Sequence, residues 1–499
     1  MSNSYILSID QGTSGTKAII FDTQGKVVIK TTTPLKSYYP QPSFVEQNPE
    51  EIYQSVINAV KACIAKFSEE FPNELDNIKA CGISNQRETF VVWDKAGNAL
   101  CDAVVWQCKR SNAICERLKA ENLETKINQV TGLTIDPYFS ATKMMWLNEN
   151  NSEITSAIAS GKAYFGTVDT WLLYKLTNGE SYKTDHTNAS RTLFYNIYDL
   201  EWDKCLLKTF NLEQLNLPEV MFSSDNFGAS TFQGTFSKPL PISGMIGDSQ
   251  AAFFGESCFA SGMAKATLGT GSSILWNTEK LDQQTENGML TTIGWSANGE
   301  VNYALEGVIV SCGSTLEWLK NQLNIFTSHD EIEAMATRLE TNEDVYLIPA
   351  FSGMGAPYWQ EEWKASIHGL TFGTKKEHLV RAALESIAFQ IKDVVSSIEK
   401  ETNSNLKELK VNGGITANGF LMQFLSDLLN TPITNMGITD VSSWGAALMA
   451  GLGVGVWQDF NDLPKPSEDV IKNYVPNSEN VMVKTVYNQW LKLLNDKKF

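Results

Sequence analysis

One stretch near the start of the chain restricts the fold more than any other: Tyr5-Ile-Leu-Ser-Ile-Asp10-Gln-Gly-Thr13-Ser-Gly15-Thr-Lys17-Ala-Ile-Ile-Phe-Asp22. Two apolar runs, Tyr5 to Ile9 and Ala18 to Phe21, flank a centre of Gly, Ser and Thr. Such runs, separated by turn formers, predict a β-hairpin. Its tip offers backbone N–H groups, hydroxyls and room for close approach, which is what phosphate oxygens require. This is not a Walker-A loop, which needs four residues between its glycines, an adjacent Gly-Lys and a following helix. Here Lys17 stands two residues past Gly15 and a strand follows. The same residues would also suit a plain polar turn. Asp10 favours a site, because a carboxylate ending the first strand beside phosphates can hold Mg²⁺ through water.

At 499 residues the chain exceeds what one core supports, so two domains and a tail are expected. A formal charge of −17 argues against a nucleic-acid partner, whose affinity rests on neutralising phosphates. None of the eight cysteines is spaced Cys-x-x-Cys, so neither zinc nor a redox pair is indicated. Free thiols and no basic-then-apolar leader point to the cytoplasm. The longest small-apolar run, Ala446 to Trp457, is too short for membrane insertion. Histidines number only four, which leaves acid–base work to carboxylates.

Asn48-Pro49-Glu50-Glu51 predicts a helix start, with apolar residues from Ile52 to Phe67 at helical spacing. Strands are expected at Ala80 to Ser84 and Phe90 to Trp93. Between them, Arg87 beside Glu88 mixes donors and acceptors, as the hydroxyls of a polyol require. Trp106 ends a further apolar strand, and Tyr138 precedes a helix start. Asp185 to Arg191 reads as a polar loop without an evident role. Gly247-Asp248-Ser249-Gln250 sits where an apolar strand runs into a helix, so Asp248 is either a cap or a working carboxylate.

About 260 residues past the first tip, Met263 to Thr278 repeats its design around Gly269-Thr270-Gly271-Ser-Ser273, which suggests a duplicated architecture. Glu306 to Leu323 is read as helical, with Gly313 and Glu317 one turn apart. Leu379 to Ile398 marks a long amphipathic helix. Val411-Asn-Gly-Gly414-Ile-Thr-Ala-Asn418 reads as strand, glycine turn and helix start, where a base or ribose can lie on bare backbone.

Together these stretches resemble the FGGY carbohydrate kinases, over about Tyr5 to Asp459. One family signature is carried by Tyr138-x-Ser140-x-x-Lys143-Met-x-Trp146-Leu-x-Glu149-Asn150. The other is Ala365-x-Ile367-x-Gly369-Leu370 with His378-Leu-x-x-Ala-Ala-Leu384-Glu385. Ser84 to Thr89, Val105 to Cys108, Ile135 to Tyr138, Phe165 to Trp171 and Thr187 to Arg191 are worded like the branch that acts on glycerol.

The resemblance implies an α/β protein of two actin-like (ribonuclease H-like) domains, from the sugar-kinase and heat-shock ATPase superfamily, with substrates in the cleft between them. Expected boundaries are 1–246 for an N-terminal polyol and phosphate domain, 247–459 for a C-terminal nucleotide domain, and 460–499 for a helical tail. The implied reaction is ATP-dependent phosphorylation of a terminal hydroxyl of a small polyol, glycerol first, with a homodimer or homotetramer as the assembly. By analogy Asp248 is the catalytic base and Asp10 helps hold Mg²⁺. Arg87, Glu88, Trp106, Tyr138 and Asp248 fall at polyol positions, joined by Ser249 and Ser273. Thr13, Ser14, Gly15, Lys17, Thr270, Gly313, Glu317, Gly414 and Asn418 fall at nucleotide positions.

Four positions depart from the pattern. Relatives acting on glycerol usually have Gln at Ser249 and an aromatic at Ser273, so a wider, more polar pocket is expected. Lys17 stands where Arg is common, and Glu317 where Gln is. A kinase for a tetritol, pentitol or pentulose is therefore the alternative substrate reading, and a catalytically weak nucleotide-binding regulator the alternative class.

Overall fold

A computed structural model describes residues 4–280, 288–477 and 479–496. They fall into two compact units. The first takes in the chain through Ser257, Thr291–Tyr303 and Asp440–Lys465. The second takes in Cys258–Leu290, Ala304–Thr439 and the chain from Pro466 on.

In the first unit, Tyr5–Gly12 and Gly15–Asp22 form the expected hairpin, with Asp10 opposite Lys17 and Gly12 opposite Gly15, so Thr13 and Ser14 make the turn. The six-stranded sheet runs Ser224–Ser230, Leu240–Gly247, Ile78–Asn85, Tyr5–Gly12, Gly15–Asp22, Val27–Pro34. Its three central strands are parallel, and the register sets both Gln11 and Gly247 beside Asn85. Asp10, the 86–88 segment and Asp248 therefore leave the sheet at one edge, the carboxyl end where open α/β sheets bind ligands.

Both faces of these strands are covered. Tyr5, Leu7 and Ile9 share a core with Ile52, Val56 and Val60 of the Pro49–Glu70 helix. That helix is capped as expected, Asn48 Oδ1 accepting from the N–H of Glu50 and Glu51. Ser8 points the other way and donates to Ser443 O at 2.6 Å, on the Val441–Gly453 helix. This helix lies so close that a Cβ on Gly82 would stand 2.0 Å from Ala446 O, and one on Gly244 2.5 Å from Ala450 N. Glycine at those strand positions is a condition of the packing.

The second unit repeats the plan. Met263–Leu268 and Ser272–Glu279 form a hairpin, with Glu408–Asn412 and then Ile433–Asn435 parallel to it, and Lys472–Tyr474 closing antiparallel. The strand ending at Ile309 flanks the hairpin on its other side. Apart from a seventh strand at one edge, the order matches that of the first unit, which is the duplicated actin-like architecture the two tips suggested.

Two segments differ from their sequence readings. The helix near Glu317 begins only at Gly313, because Glu306 to Ile309 continue an apolar run that pairs as strand. Asp185 to Arg191 is a short helix, His186–Ala189, and its polar side chains are buried. The Val481–Asn495 helix belongs to the core of the second unit. Trp490 is buried, and its Nε1 and the Tyr487 hydroxyl donate to Asp393 at 3.0 and 2.6 Å. No helix among the described residues is long and apolar enough to cross a membrane.

Candidate active site

Asp10 lies two residues before the end of its strand, one carboxylate oxygen accepting from the Ser84 hydroxyl at 2.6 Å and the other 3.6 Å from Lys17 Nζ. Lys17 also reaches Asp440 at 3.2 Å, and Lys30 holds Asp440 from its far side at 2.7 Å. Burial works to lower the Lys17 pKa, but Asp10 and Asp440 outweigh it and leave the ammonium held above its ordinary value. Lys17 is thus a fixed cation beside a hairpin tip whose Ser14 is exposed. Gly15 is required there, since a Cβ would stand 2.8 Å from Thr33 O.

At the neighbouring strand ends, Arg87 Nε lies 3.4 Å from Asp248 Oδ1 and 3.9 Å from Glu88 Oε1, while Arg87 Nη1 donates to Gln250 at 3.3 Å. Glu88 accepts from Arg191 Nε at 2.6 Å, and its backbone sits at φ +60, a left-handed conformation that costs a non-glycine residue about 1–3 kcal/mol. Arg191 and the Ser140 hydroxyl, which donates to Glu88 O, hold it there. The Asp248–Gly255 helix begins at Asp248, but the capping position is Gly247. Asp248 is therefore not an N-cap. Its carboxylate accepts from the adjacent Ser249 N–H and faces Arg87. The side chain is 40% exposed. Surrounding protein still strips enough water to push its pKa up to about 6, Arg87 pulling down while Asp10 and Glu88 push up.

Two half-buried aromatic rings are tied to the Arg87 segment through the hairpin tip. Trp106 and Tyr138 meet edge to face with centroids 5.6 Å apart, and Trp106 Nε1 donates to the Thr13 hydroxyl at 3.0 Å. Thr13 in turn donates to Gln86 Oε1 at 3.3 Å, so tip, aromatic wall and the Arg87 segment are connected. Beneath them Lys143 is fully buried and donates to Tyr138 O at 2.7 Å and Trp106 O at 3.4 Å. Burial pushes its pKa down to about 8, against the pull of Cys108, Glu88 and Asp136.

In the second unit three loops converge. Cys312 and Ser314 N–H donate to Thr270 O, and Gly313 N–H to Gly269 O. A Cβ on Gly313 would meet Gly269 O at 2.7 Å and Ile415 Cδ1 at 2.8 Å. Gly413 turns at φ +100 over Leu268 O, leaving Gly414 exposed with open space at its Cα. Asn418 caps the Gly419–Leu429 helix through Oδ1, while its Nδ2 is buried without a hydrogen-bond partner. Glu317 turns its carboxylate toward His329 and Asn321. It is exposed and paired with His329 at 2.7 Å, which, with Asn321, holds its carboxyl below the usual range. Ser273 donates to the buried Glu306 at 2.9 Å, and Lys265 Nζ lies 3.4 Å from its carbonyl.

Sequence reading missed Gln250, Arg191, Asp440, Glu306 and His329. Arg191 carried a signal in hindsight: an arginine in a polar run close to two apolar strands.

The comparisons with known proteins agree in extent and order. Residues 5–255 match the model of the FGGY family of carbohydrate kinases, N-terminal domain, and 264–454 that of the C-terminal domain. A glycerol kinase of Bacillus subtilis is 42% identical over 98% of both chains, and one of Listeria monocytogenes 43% over 93%. Among solved structures, Plasmodium falciparum glycerol kinase with ADP superposes with a TM-score of 0.93 at 34% identity, covering 100% of this chain and 99% of that one. A gluconate kinase of Lactobacillus acidophilus shares the fold at 0.88 and 20% identity, over 99% and 98% of the chains. With both domains matched in sequence order along nearly its whole length, the chain belongs to the FGGY family of carbohydrate kinases, enzymes that transfer a phosphoryl group from ATP to an alcohol.

Proposed function

We propose that this enzyme phosphorylates a terminal hydroxyl of glycerol. The observation that carries the proposal is the Arg87–Asp248 pair at the strand ends of the first unit. A carboxylate with its pKa near 6 is mostly ionised at neutral pH, yet basic enough to orient and accept a hydroxyl proton. Arg87 and Glu88 supply the donor and acceptor for the remaining hydroxyls, and Trp106 and Tyr138 wall the carbon chain. Phosphoryl transfer needs positioning and charge stabilisation more than covalent chemistry, and these groups provide both.

Within the first unit, Thr13, Ser14, Gly15 and Lys17 suit phosphate oxygens; within the second, Thr270, Gly313, Gly414 and Asn418 suit a nucleotide. Asn418 is fixed in its loop by capping the following helix through Oδ1. Glu317 would contribute only a charge balanced by His329. Among the described residues no three acidic, His or Cys side chains form a metal cage. A single carboxylate at Asp10 suits Mg²⁺, which is typically held by one or two carboxylates, waters and substrate phosphates. Bound there, Mg²⁺ would neutralise charge on the phosphates.

The relatives named as glycerol kinases favour glycerol. Ser249, a small side chain beside Asp248, favours some room for a four- or five-carbon polyol or ketose beside it. A homodimer or homotetramer in the cytoplasm completes the proposal, on family resemblance and the free cysteines. A coupled assay of ATP turnover on glycerol, tetritols, pentitols and pentuloses tests it. Glycerol should give the highest kcat/KM, and a ketose outranking it by tenfold would overturn the assignment.

A further inference from the structure

Asp185 lies beneath the site and is wholly buried. It accepts five hydrogen bonds: Thr187 N–H at 3.1 Å, Thr187 hydroxyl at 2.7 Å, Asn188 N–H at 2.9 Å, Asn188 Nδ2 at 2.9 Å and Ser223 hydroxyl at 2.7 Å. All five partners donate, so both carboxylate oxygens act as acceptors.

Two of these donors lead onward to the substrate residues. The Thr187 oxygen accepts the N–H of Gly247 at 2.9 Å, the residue immediately before Asp248. Space there is tight: a Cβ on Gly247 would stand 2.9 Å from Arg87 Cγ. The Asn188 amide forms a reciprocal pair with the amide of Asn85, at 2.9 and 3.1 Å, two residues before Arg87. The same turn also carries Arg191, whose N–H donates to Asn188 O and whose Nε binds Glu88. One carboxylate thus ties together the backbone bearing Asp248, the backbone bearing Arg87 and Glu88, and the arginine that holds Glu88.

We propose that Asp185, acting through Thr187 and Asn188, is the positioning hub of the transfer step, with the Thr187 arm setting Asp248 and the Asn188 arm setting Arg87 and Glu88. The proposal rests on Asp248 acting as the base. The two arms should separate kinetically. Thr187→Val keeps the volume but leaves Gly247 N–H without its acceptor, so Asp248 drifts relative to the hydroxyl it orients. Misplacement of this kind should lower kcat by about 10–100-fold with polyol KM and ATP affinity within about 3-fold of wild type. Thr187→Ser restores the oxygen and should recover kcat to within about 3-fold. Asn188→Ala instead loosens Arg87 and Glu88, raising polyol KM by about tenfold with the smaller change in kcat.

The experiment is steady-state kinetics on the full-length chain, with active-site concentration fixed by nucleotide titration and melting followed in parallel. The split between kcat and KM supports the hub. Unchanged kinetics per active site in both variants, with only melting lowered, would mean a structural network and overturn it. If one variant does not fold, the other arm decides alone. Asp248→Asn run beside them keeps the two ideas apart: full activity there removes the base, whereas an inactive Asp248→Asn with unperturbed Thr187→Val removes only the hub.

Discussion

Arg87 Nε stands 3.4 Å from Asp248 Oδ1, across the gap between two parallel strands that end in register. The contact sets opposing effects on one carboxyl. Loss of hydration and the charges of Asp10 and Glu88 raise its pKa, and the guanidinium restrains the rise to about 6.

The acid limb of kcat should therefore follow Asp248. Activity should fall as pH drops through about 6, and Asp248→Asn should abolish that limb along with most of the rate. Stability carries the opposite sign. A carboxyl with a raised folded pKa binds its proton more tightly when folded, so its contribution is present below the unfolded value of about 3.9 and lost as pH rises through about 6. Relative to wild type, Asp248→Asn should melt higher at pH 8 than at pH 4. A lower melting temperature at pH 8 would assign the side chain a structural task.

Asp10 should matter to the metal complex of the nucleotide more than to the nucleotide. Calorimetry with ADP plus Mg²⁺ should show Asp10→Ala weakened by about tenfold or more, while ADP in chelator binds as to wild type. Equal losses in both titrations would place Asp10 on the protein's own hydrogen bonds alone.

Lys143 holds the carbonyls of Trp106 and Tyr138 from below, and both carry the aromatic wall. Lys143→Met should raise polyol KM by about tenfold with ATP affinity unchanged, because the rings lose a charge-assisted anchor. In wild type, polyol KM should climb above pH 8 as the ammonium is lost. A flat KM from pH 7 to pH 9.5 would count against the anchor.

Ser249 is a small side chain next to Asp248, and its replacement tests breadth of substrate. Ser249→Gln should lower the kcat/KM of a four- or five-carbon substrate relative to glycerol by about tenfold or more, by filling space and adding an amide. Ser273 is less simple than its size suggested. Its hydroxyl donates to the buried Glu306, so an aromatic there would also remove one hydrogen bond from that carboxylate.

The duplicated fold was legible because each hairpin announces itself locally: apolar runs, a Gly-Thr-Ser or Gly-Thr-Gly tip, and a second run. Asn48 and the Pro49 helix were legible for the same reason, as capping is written in adjacent residues. The polar network under the site was not. Asp185, Thr187, Asn188 and Arg191 look like a solvated loop by composition, and only tertiary contacts show each to be buried and bonded. The Glu317–His329 pair was hidden likewise, since twelve residues and a turn separate its members. The helix reading from Glu306 failed where sheet pairing overrode a short apolar run that fits either period.

The most direct measurement is single-turnover transfer from ATP to glycerol, by rapid quench, in wild type and Asp248→Asn at pH 7.5. Wild type should form glycerol 3-phosphate, and the variant should bind ATP equally well yet lose on the order of 10²–10⁴ in the transfer rate. A variant within a few-fold of wild type would contradict the assignment of Asp248 as the base.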